Sequence, residues 1–188
     1  SDPDRLQKYG LFHKFNDTNE FYKIISDRIN VAFPEYLDEN FYAPMGLTTM
    51  CYNPIDKFPV ERIVPTENDE KFRKQLIQGY VHDSGAAMMG GIGGHAGLFS
   101  NANDLAKLMQ MLLQKGEYGD KRFFEESTID IFTNAAYNKS KNRRALGFDR
   151  PGNAKKSPVT SLASANSYGH TGFSGTIAWV DPKEQFIY

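Results

Sequence analysis

The chain has 188 residues, of which 40% are hydrophobic and 13% aromatic, enough for one domain, or a large piece of one, with its own core. Its charges sum to −1, so no global field favours nucleic acid or an anionic membrane surface as a partner. A single cysteine, Cys51, excludes an internal disulfide and a cysteine-based metal site, and no apolar run approaches the roughly 18 residues of a membrane span.

The N-terminal part has the pattern of helices followed by an irregular connection. Apolar residues recur at helical spacing over residues 21–29, after a capping segment at 17–19, and a second short helix is predicted over 34–42. Residues 51–70 carry three prolines among charged side chains, which predicts a long irregular connection. The pattern over 72–80 is compatible with either a helix or a loop.

A glycine-rich segment follows at residues 90–99. Within it, residues 91–96 match the dinucleotide-binding pattern Gly-x-Gly-x-x-Ala, but the context is wrong for that site. Residues 83–89 do not form a strand pattern, and the acidic residue about twenty positions on, Glu117, lies in a turn rather than at a strand end. We therefore predict a tight, close-packed loop and no cofactor.

The next segments are a helix, a shorter helix and a surface loop. Apolar residues over 105–113 predict an amphipathic helix, capped by Ser100-Asn101 and ended by Gly116, with its methionines in the core. A short helix is predicted over 125–132. Polar residues predict a surface loop over 138–167, with a strand at 146–148. The basic residues of this loop are interpreted as solvated rather than as a phosphate-binding patch: Lys139, Lys141, Arg143 and Arg144.

The most informative stretch is residues 167–176, which is small, hydroxyl-rich and spaced by glycines. It leads directly into the apolar, β-prone residues 177–180, and we interpret it as an edge strand with one flank left bare for a ligand backbone. His170 and Thr171 would supply a polar ring and a hydroxyl group there. On the chemistry alone, a functional and a structural role for His170 are equally supported. Residues 181–185 predict a hairpin turn, and 186–188 a returning strand.

The other histidines favour structural roles. His82 and Asp83 are predicted to form a hydrogen-bonded pair, and His95, between glycines, to be a buried donor that holds its loop. A zinc site would need a third ligand at short spacing, which the sequence does not have, so we predict no metal site.

Four segments occur in order along the chain: residues 41–47, 79–83, 94–106 and 169–182. Together they resemble serine β-lactamase-like and penicillin-binding proteins, a family that includes class C β-lactamases, DD-peptidases and esterases. His170-Thr171-Gly172 is similar to the family's third motif, usually Lys-Thr-Gly, with His-Thr-Gly as a variant. The resemblance covers about residues 15–188 and is nearest to proteins of Bacteroidetes-type bacteria, some of which are fused to glycosidase domains.

The resemblance implies an α/β (α+β) fold in which an antiparallel sheet is flanked by helices. In the family, a Ser-x-x-Lys nucleophile attacks an amide or ester, a tyrosine of a Tyr-x-Asn motif helps to move the proton, and backbone N–H groups hold the oxyanion. The resemblance assigns catalytic roles to His170 and Thr171. It assigns substrate binding to Gly172, Phe173, Ser174 and Asp17, and it makes the N–H of Ser174, or of a near neighbour, the oxyanion donor.

Two departures from the family pattern affect the predicted function. No Ser-x-x-Lys occurs in the chain, and Phe15-Asn16-Asp17 takes the place of Tyr-x-Asn, so that position has no phenolic hydroxyl. Nor does the Gly-x-Ser-x-Gly elbow of α/β-hydrolases occur. We therefore expect residues 1–188 to be a single partial β-lactamase-like domain with an atypical segment at 1–14.

Two classes of function remain open. The first is a serine hydrolase acting on a β-lactam, a peptidoglycan peptide or an ester, with this chain as the substrate-side wall and inactive by itself. The second is a non-catalytic binding or scaffolding module on the same fold. The resemblance further implies a periplasmic or extracytoplasmic location and a small-molecule or peptidoglycan-derived substrate, and it brings the prospect of a fused glycosidase domain in the full protein.

Overall fold

A computed structural model describes residues 33–134, 143–152 and 157–188. Short helices and three small antiparallel sheets make up the described chain, which confirms the predicted class of helices with antiparallel strands. The helices are Ala43–Met45 (α1), Ser84–Met88 (α2), Ala102–Leu113 (α3) and Glu126–Thr133 (α4). The strands are Pro65–Asp69 (β1), Gln75–Gln78 (β2), Glu117–Tyr118 (β3), Lys121–Arg122 (β4), Tyr168–Thr171 (β5), Ile177–Asp181 (β6) and Phe186–Ile187 (β7). The predicted helix at 21–29 lies outside the described residues.

The first helical segment runs further than predicted. Residues 33–37 are helical, a π-helical turn follows at Asp38–Tyr42, and α1 continues the chain to Met45. Pro44 is the second residue of α1 and lies near the end of this segment. The segment ends at Gly46, whose φ of 66° is in the left-handed region that glycine adopts without strain.

The predictions over residues 65–80 were wrong, because this region contains a hairpin. β1 and β2 pair antiparallel, with an irregularity in register between Pro65 and Glu67. Asp69 closes the hairpin by accepting hydrogen bonds from the N–H groups of Phe72, Arg73 and Lys71. These backbone bonds, from Phe72 and Arg73 first, lower the pKa of the Asp69 carboxyl. The sequence pattern does not reveal these strands, because a carboxylate in the turn, rather than β-branched residues, stabilises them.

The glycine-rich loop is close-packed, as predicted. A Cβ at Gly97 would lie 2.2 Å from the carbonyl oxygen of Gly91, and a Cβ at Gly91 would lie 2.2 Å from Oδ1 of Asn53. The residues before the loop form the helix α2 rather than a strand. The loop therefore lets two backbone segments cross, which only glycine permits at that distance.

Helix α3 is the central element of the described fold and matches its prediction. The Asn101 side chain caps it by accepting from the N–H of Asp104. The helix contributes Met111 to one core cluster, with residues of the first helical segment, and Met109 and Leu113 to a second cluster against the β5–β7 sheet. The short helix predicted at 125–132 is α4. Within the described residues, no helix has the length and apolar character to cross a membrane.

The strand predicted at 146–148 is absent from the structure, where these residues form a bend beside a single isolated bridge between Asp149 and Gly169. Arg143 and Arg144, interpreted as solvated, are 33% and 48% exposed, but they also pair with a carboxylate. Both guanidinium groups face Asp149, whose side chain is only 5% exposed and so requires partners of opposite charge. Lys139 and Lys141 lie outside the described residues.

Residues 167–180 form two strands rather than the single strand predicted. β5 and β6 pair in register from Tyr168 with Val180 to Thr171 with Ile177, and a tight turn joins them. The turn forms because Gly175 adopts a φ of 94°, and the N–H of Gly172 donates to the C=O of Thr176 at 2.7 Å. The predicted turn at 181–185 and the returning strand β7 are confirmed.

Asp181 secures the end of β6 as a buried carboxylate. It accepts hydrogen bonds from the N–H and hydroxyl of Ser164, and from the N–H groups of Lys183 and Glu184. Burial by itself raises the pKa of Asp181, but the hydrogen bonds from Ser164 and Glu184 outweigh it and lower the pKa to about 2. The ionised carboxylate therefore stabilises the folded chain.

Gly169 is predicted to tolerate no side chain. A Cβ there would lie 2.2 Å from the carbonyl oxygen of Ala178 and 2.5 Å from Cγ of Trp179, so Gly169→Ala should lower the free energy of unfolding by roughly 3 kcal/mol. Gly94→Ala is the matched control, since nothing lies within 4 Å of its Cβ position. Urea unfolding measures both variants, and equal stabilities would contradict the close approach at Gly169.

Asp181 should also make stability depend on pH in the acid range. Because its folded pKa lies below the ordinary value of about 3.9, its contribution of roughly 2 kcal/mol is complete above pH 4 and is lost as pH falls toward 2. Asp181→Asn should be less stable than the wild type at pH 7, with the gap closing between pH 4 and 2. Ser164→Ala should be intermediate. Urea unfolding curves for Asp181→Asn that follow the wild type at every pH would contradict this account.

Candidate functional site

A cleft of about 1040 Å³ opens between the turn of the β5–β6 hairpin, the glycine-rich loop and the segment around β1. Five of the six predicted site residues line it: His170, Thr171, Gly172, Phe173 and Ser174. The sixth, Asp17, lies outside the described residues. The structure thus brings the predicted residues to one concave surface, while their chemical roles stay predictions.

The ring of His170 is held at both nitrogens. Nδ1 lies 2.8 Å from the carbonyl oxygen of Thr171, and Nε2 lies 2.7 Å from a guanidinium nitrogen of Arg144. A guanidinium group can only donate, so Nε2 accepts and the ring proton resides on Nδ1, from which it is donated to Thr171. In this arrangement His170 is neutral, and its orientation at the cleft is set by Arg144.

The backbone of β5 directs hydrogen-bond donors to the free edge of its sheet. Successive residues of an antiparallel strand point their N–H and C=O groups to alternate sides. Gly169 exchanges hydrogen bonds of 2.7 and 3.1 Å with Asp149 outside the sheet, whereas the N–H of Gly172 turns inward to Thr176. The alternation therefore directs the N–H of Thr171, the last residue of β5, outward, away from β6.

The predicted oxyanion donor lies beyond the strand. Ser174 and its neighbour Phe173 are both in the turn that joins β5 to β6, where the alternation of the strand no longer sets the direction of an N–H group. The assignment of the N–H of Ser174, or of a near neighbour, as the oxyanion donor stays a prediction.

The side chain of Phe173 joins the hairpin turn to the opposite wall of the cleft. Its ring stacks on His82, with 4.0 Å between centroids and 25° between planes, although the residue remains 85% exposed. Nε2 of His82 lies 3.2 Å from a carboxylate oxygen of Glu67 on β1. Arg73 holds this wall by contacting Glu67 at 3.3 Å and donating to the carbonyl groups of Val81 and His82. The ion pairs and hydrogen bonds of Glu67 and Arg73 thus hold His82 in position against the ring of Phe173.

The predicted pairing of His82 with Asp83 was wrong. Asp83 instead caps α2 by accepting from the N–H of Ala86 at 2.7 Å, and the same oxygen lies 3.0 Å from Nε2 of His95. The hydrogen bond from Ala86 first, and then that from His95, lowers the pKa of the Asp83 carboxyl. His95 does hold its loop, as predicted, but its side chain is 58% exposed rather than buried.

Sequence reasoning missed Arg144, Glu67 and Arg73 as residues of the site region. Arg144 carried no local signal, because its neighbours in sequence are basic and polar and only the fold brings it to His170. Among the described residues, no group of three or more His, Cys, Asp or Glu side chains is arranged to hold a metal ion.

The family is shown by comparison with known proteins. The family model for Beta-lactamase matches residues 26–188, and the chain belongs to this family of serine hydrolases. A relative in Escherichia coli K12, provisionally named D-alanyl-D-alanine carboxypeptidase, is 41% identical over 160 residues. The match covers 78% of this chain and 36% of that relative, so the chain spans little more than a third of its length.

Solved structures agree on the fold. A beta-lactamase from Mycobacterium bovis superposes with a TM-score of 0.53 at 17% identity, covering 89% of this chain and 50% of that one. An octameric penicillin-binding protein homologue from Pyrococcus abyssi gives a TM-score of 0.54 at 18% identity, covering 89% and 35%. At these identities the likeness establishes the fold alone.

The stack of His82 on Phe173 should contribute to the stability of the cleft wall. A double-mutant cycle with His82→Ala and Phe173→Ala is expected to give a coupling free energy of about 1 kcal/mol, as measured for aromatic pairs. His95→Ala combined with Phe173→Ala is the matched control, since His95 lies on the same cleft and pairs with Asp83. Urea unfolding measures both cycles, and equal coupling energies would rule out a specific stack.

Proposed function

We propose that the chain forms the substrate-side wall of a serine hydrolase that cleaves an amide or ester through an acyl-enzyme. The observation that carries the proposal is the edge of β5, where His170, Thr171 and an outward backbone N–H meet on one cleft. Membership of the beta-lactamase family supports the reaction class. A cleft that combines a hydroxyl, an oriented ring and a backbone N–H at a strand edge suits a carbonyl substrate.

In the proposed reaction a serine oxygen attacks the substrate carbonyl carbon, the bond to the leaving group breaks, and water later releases the acyl group. The 188 residues contain no Ser-x-x-Lys, so that nucleophile is not supplied by this chain. The part of this chain is to hold the substrate. The N–H of Ser174, or of a near neighbour, donates to the carbonyl oxygen as it gains negative charge, and the Thr171 hydroxyl with the His170 region receives the substrate's polar end.

The proposed substrate is a peptidoglycan-derived peptide with a free carboxylate. Support comes from the relative in Escherichia coli, whose name gives D-alanyl-D-alanine carboxypeptidase as its provisional activity. Such a substrate places the protein outside the cytoplasm, where peptidoglycan is found. Two other substrates stay alternatives within the same proposal, a β-lactam and a simple ester, because one fold supports several of these reactions. Fusion to a glycosidase domain also stays part of the proposal.

Covalent labelling tests the proposed reaction class. A fluorescent penicillin and a fluorophosphonate probe are each incubated with the 188-residue chain and with the complete product of its gene. We expect no stable serine adduct on the 188-residue chain, because it has no Ser-x-x-Lys, and a labelled serine on the complete product. Mass spectrometry of the digested protein identifies the labelled residue.

The outcomes separate the two classes of function. A labelled serine in the complete product supports the hydrolase, and the same sample denatured before labelling is the control for non-specific reaction. A complete product that binds the peptide yet gives no adduct with either probe would overturn the hydrolase and support the non-catalytic binding module. A stable serine adduct on the 188-residue chain would contradict the assignment of the nucleophile to another segment.

A further inference from the structure

We propose that His95 and Asp83 form an acid–base pair in the cleft, in which His95 takes the proton from the water that releases the acyl group. This role rests on the proposed function and assigns a base to the second half of its reaction. Attack of water on an acyl-enzyme is accelerated by a positioned group that accepts the proton of the water. Both side chains line the cleft that His170 and Thr171 border.

The carboxylate of Asp83 has a fixed position in the absence of a ligand. Its Oδ1 atom accepts a hydrogen bond of 2.7 Å from the N–H of Ala86 and so caps α2. The same oxygen lies 3.0 Å from Nε2 of His95. The hydrogen bond from Ala86, and then that from His95, lowers the pKa of the Asp83 carboxyl, which is therefore ionised at neutral pH. A carboxylate held in this way can orient an imidazole and stabilise its protonated form.

The contact with Asp83 determines which nitrogen of His95 is available as a base. An ionised carboxylate can only accept, so Nε2 of the neutral ring carries the proton and donates it. Nδ1 then has the unshared electron pair. Within the described part of the chain, no hydrogen bond involves Nδ1 of His95, and the side chain is 58% exposed. A ring oriented at one nitrogen and open at the other has the geometry of a general base.

The glycine-rich loop has anchors of its own besides the ring of His95. The N–H of Gly93 donates to the C=O of Ala96 at 3.1 Å, and the C=O of Gly93 accepts from the hydroxyl of Tyr52 at 3.2 Å. Glycine at position 93 also leaves the ring uncrowded, because a Cβ there would lie 3.2 Å from Nδ1. The backbone of the loop is therefore held by contacts that remain when the ring of His95 is replaced.

A continuous series of contacts joins this pair to the wall that carries the third motif. Asp83 follows His82 directly in the chain, and the ring of His82 stacks on Phe173 with 4.0 Å between centroids. Phe173 lies in the turn that follows Thr171, the last residue of β5. The pair and the edge of β5 border one cleft of about 1040 Å³. Since a water molecule needs only about 30 Å³, the cleft has room for a substrate and for the attacking water.

In the proposed step, Nδ1 of His95 accepts a proton from water while the water oxygen bonds to the acyl carbonyl carbon. The bond from that carbon to the serine oxygen then breaks, and the serine oxygen takes up the proton that the imidazolium returns. The products are a free acid and the serine hydroxyl, so no further reactant is consumed. Asp83 stays ionised throughout and stabilises the imidazolium between the two proton transfers.

Pre-steady-state hydrolysis of p-nitrophenyl acetate by the complete product of the gene tests this role. The first phase of p-nitrophenol release measures formation of the acyl-enzyme, and the steady phase measures its hydrolysis. We expect His95→Gln to slow the hydrolysis phase about 100-fold and to leave the formation phase within about threefold of the wild type. Asp83→Asn keeps an oxygen acceptor for Ala86 and for His95 but loses the charge, so its hydrolysis phase should be intermediate.

A second readout and a matched control separate this role from a merely structural one. Nitrogen-15 spectra of the imidazole should show the Nε2–H tautomer of His95 in the wild type. Asp130→Asn is the control for Asp83→Asn, because each carboxylate is 42% exposed and pairs with one cationic or imidazole side chain. Asp130 pairs with Lys115 and is not among the residues that line the cleft, so Asp130→Asn should leave both phases unchanged.

Several results would overturn the pair. These are an Nδ1–H tautomer of His95 in the wild type, and a His95→Gln variant whose hydrolysis phase matches the wild type or whose two phases slow equally. Should His95→Gln fail to fold, Asp83→Asn and the wild-type tautomer still decide. A complete product that forms no acyl-enzyme refutes the hydrolase and this role together. An acyl-enzyme that forms normally, with a hydrolysis phase unaffected by His95→Gln, refutes this role alone.

Discussion

The close approach of two strands at Gly169 is the constraint on which the described site depends. On one side a Cβ would meet the carbonyl oxygen of Ala178 and the ring of Trp179, which is completely buried. On the other side Gly169 exchanges backbone hydrogen bonds with Asp149. Because glycine has no side chain, β5 can pair closely with β6 on one side and with the Asp149 segment on the other. The strand that carries His170 and Thr171 is thereby fixed along both of its edges.

Two carboxylates turn this backbone geometry into an ordered cleft. Asp149 binds Arg143 and lies 3.7 Å from Nε of Arg144, the residue whose guanidinium contacts the ring of His170. On the opposite wall Asp69 has the same fixing role, because it binds Arg73 and the backbone of the β1–β2 turn. Charged groups that are satisfied by several hydrogen bonds resist movement more than isolated surface pairs do. The cleft is therefore bordered by elements whose positions are determined independently of any ligand.

Membership of the beta-lactamase family and the partial span of the chain have a joint consequence. The described residues bring the edge of β5, with His170 and Thr171, to one cleft, and their proposed role is to bind and align a substrate. The bond-making oxygen of the proposed reaction is a separate requirement. The proposed binding by this chain and the proposed turnover by the complete protein are therefore distinct properties, and each can be measured without the other.

Local chemistry made several features predictable from the sequence alone. Three of them depend only on residues close together in sequence, so their patterns are visible along the chain. They are α3 with its Asn101 cap, the close-packed glycine loop and the turn after Asp181. The motif around His170 was visible for the same reason, because its glycines and hydroxyls are adjacent.

Tertiary structure decided how the polar side chains pair. His82 binds Glu67 rather than Asp83, and Arg144 reaches across 26 residues to His170. The β1–β2 hairpin and the division of residues 167–180 into two strands were likewise unpredicted, since a turn carboxylate and a single positive φ at Gly175 produce them. A charged side chain has many sequence neighbours of suitable chemistry, and only the packed fold determines which of them comes within hydrogen-bonding distance.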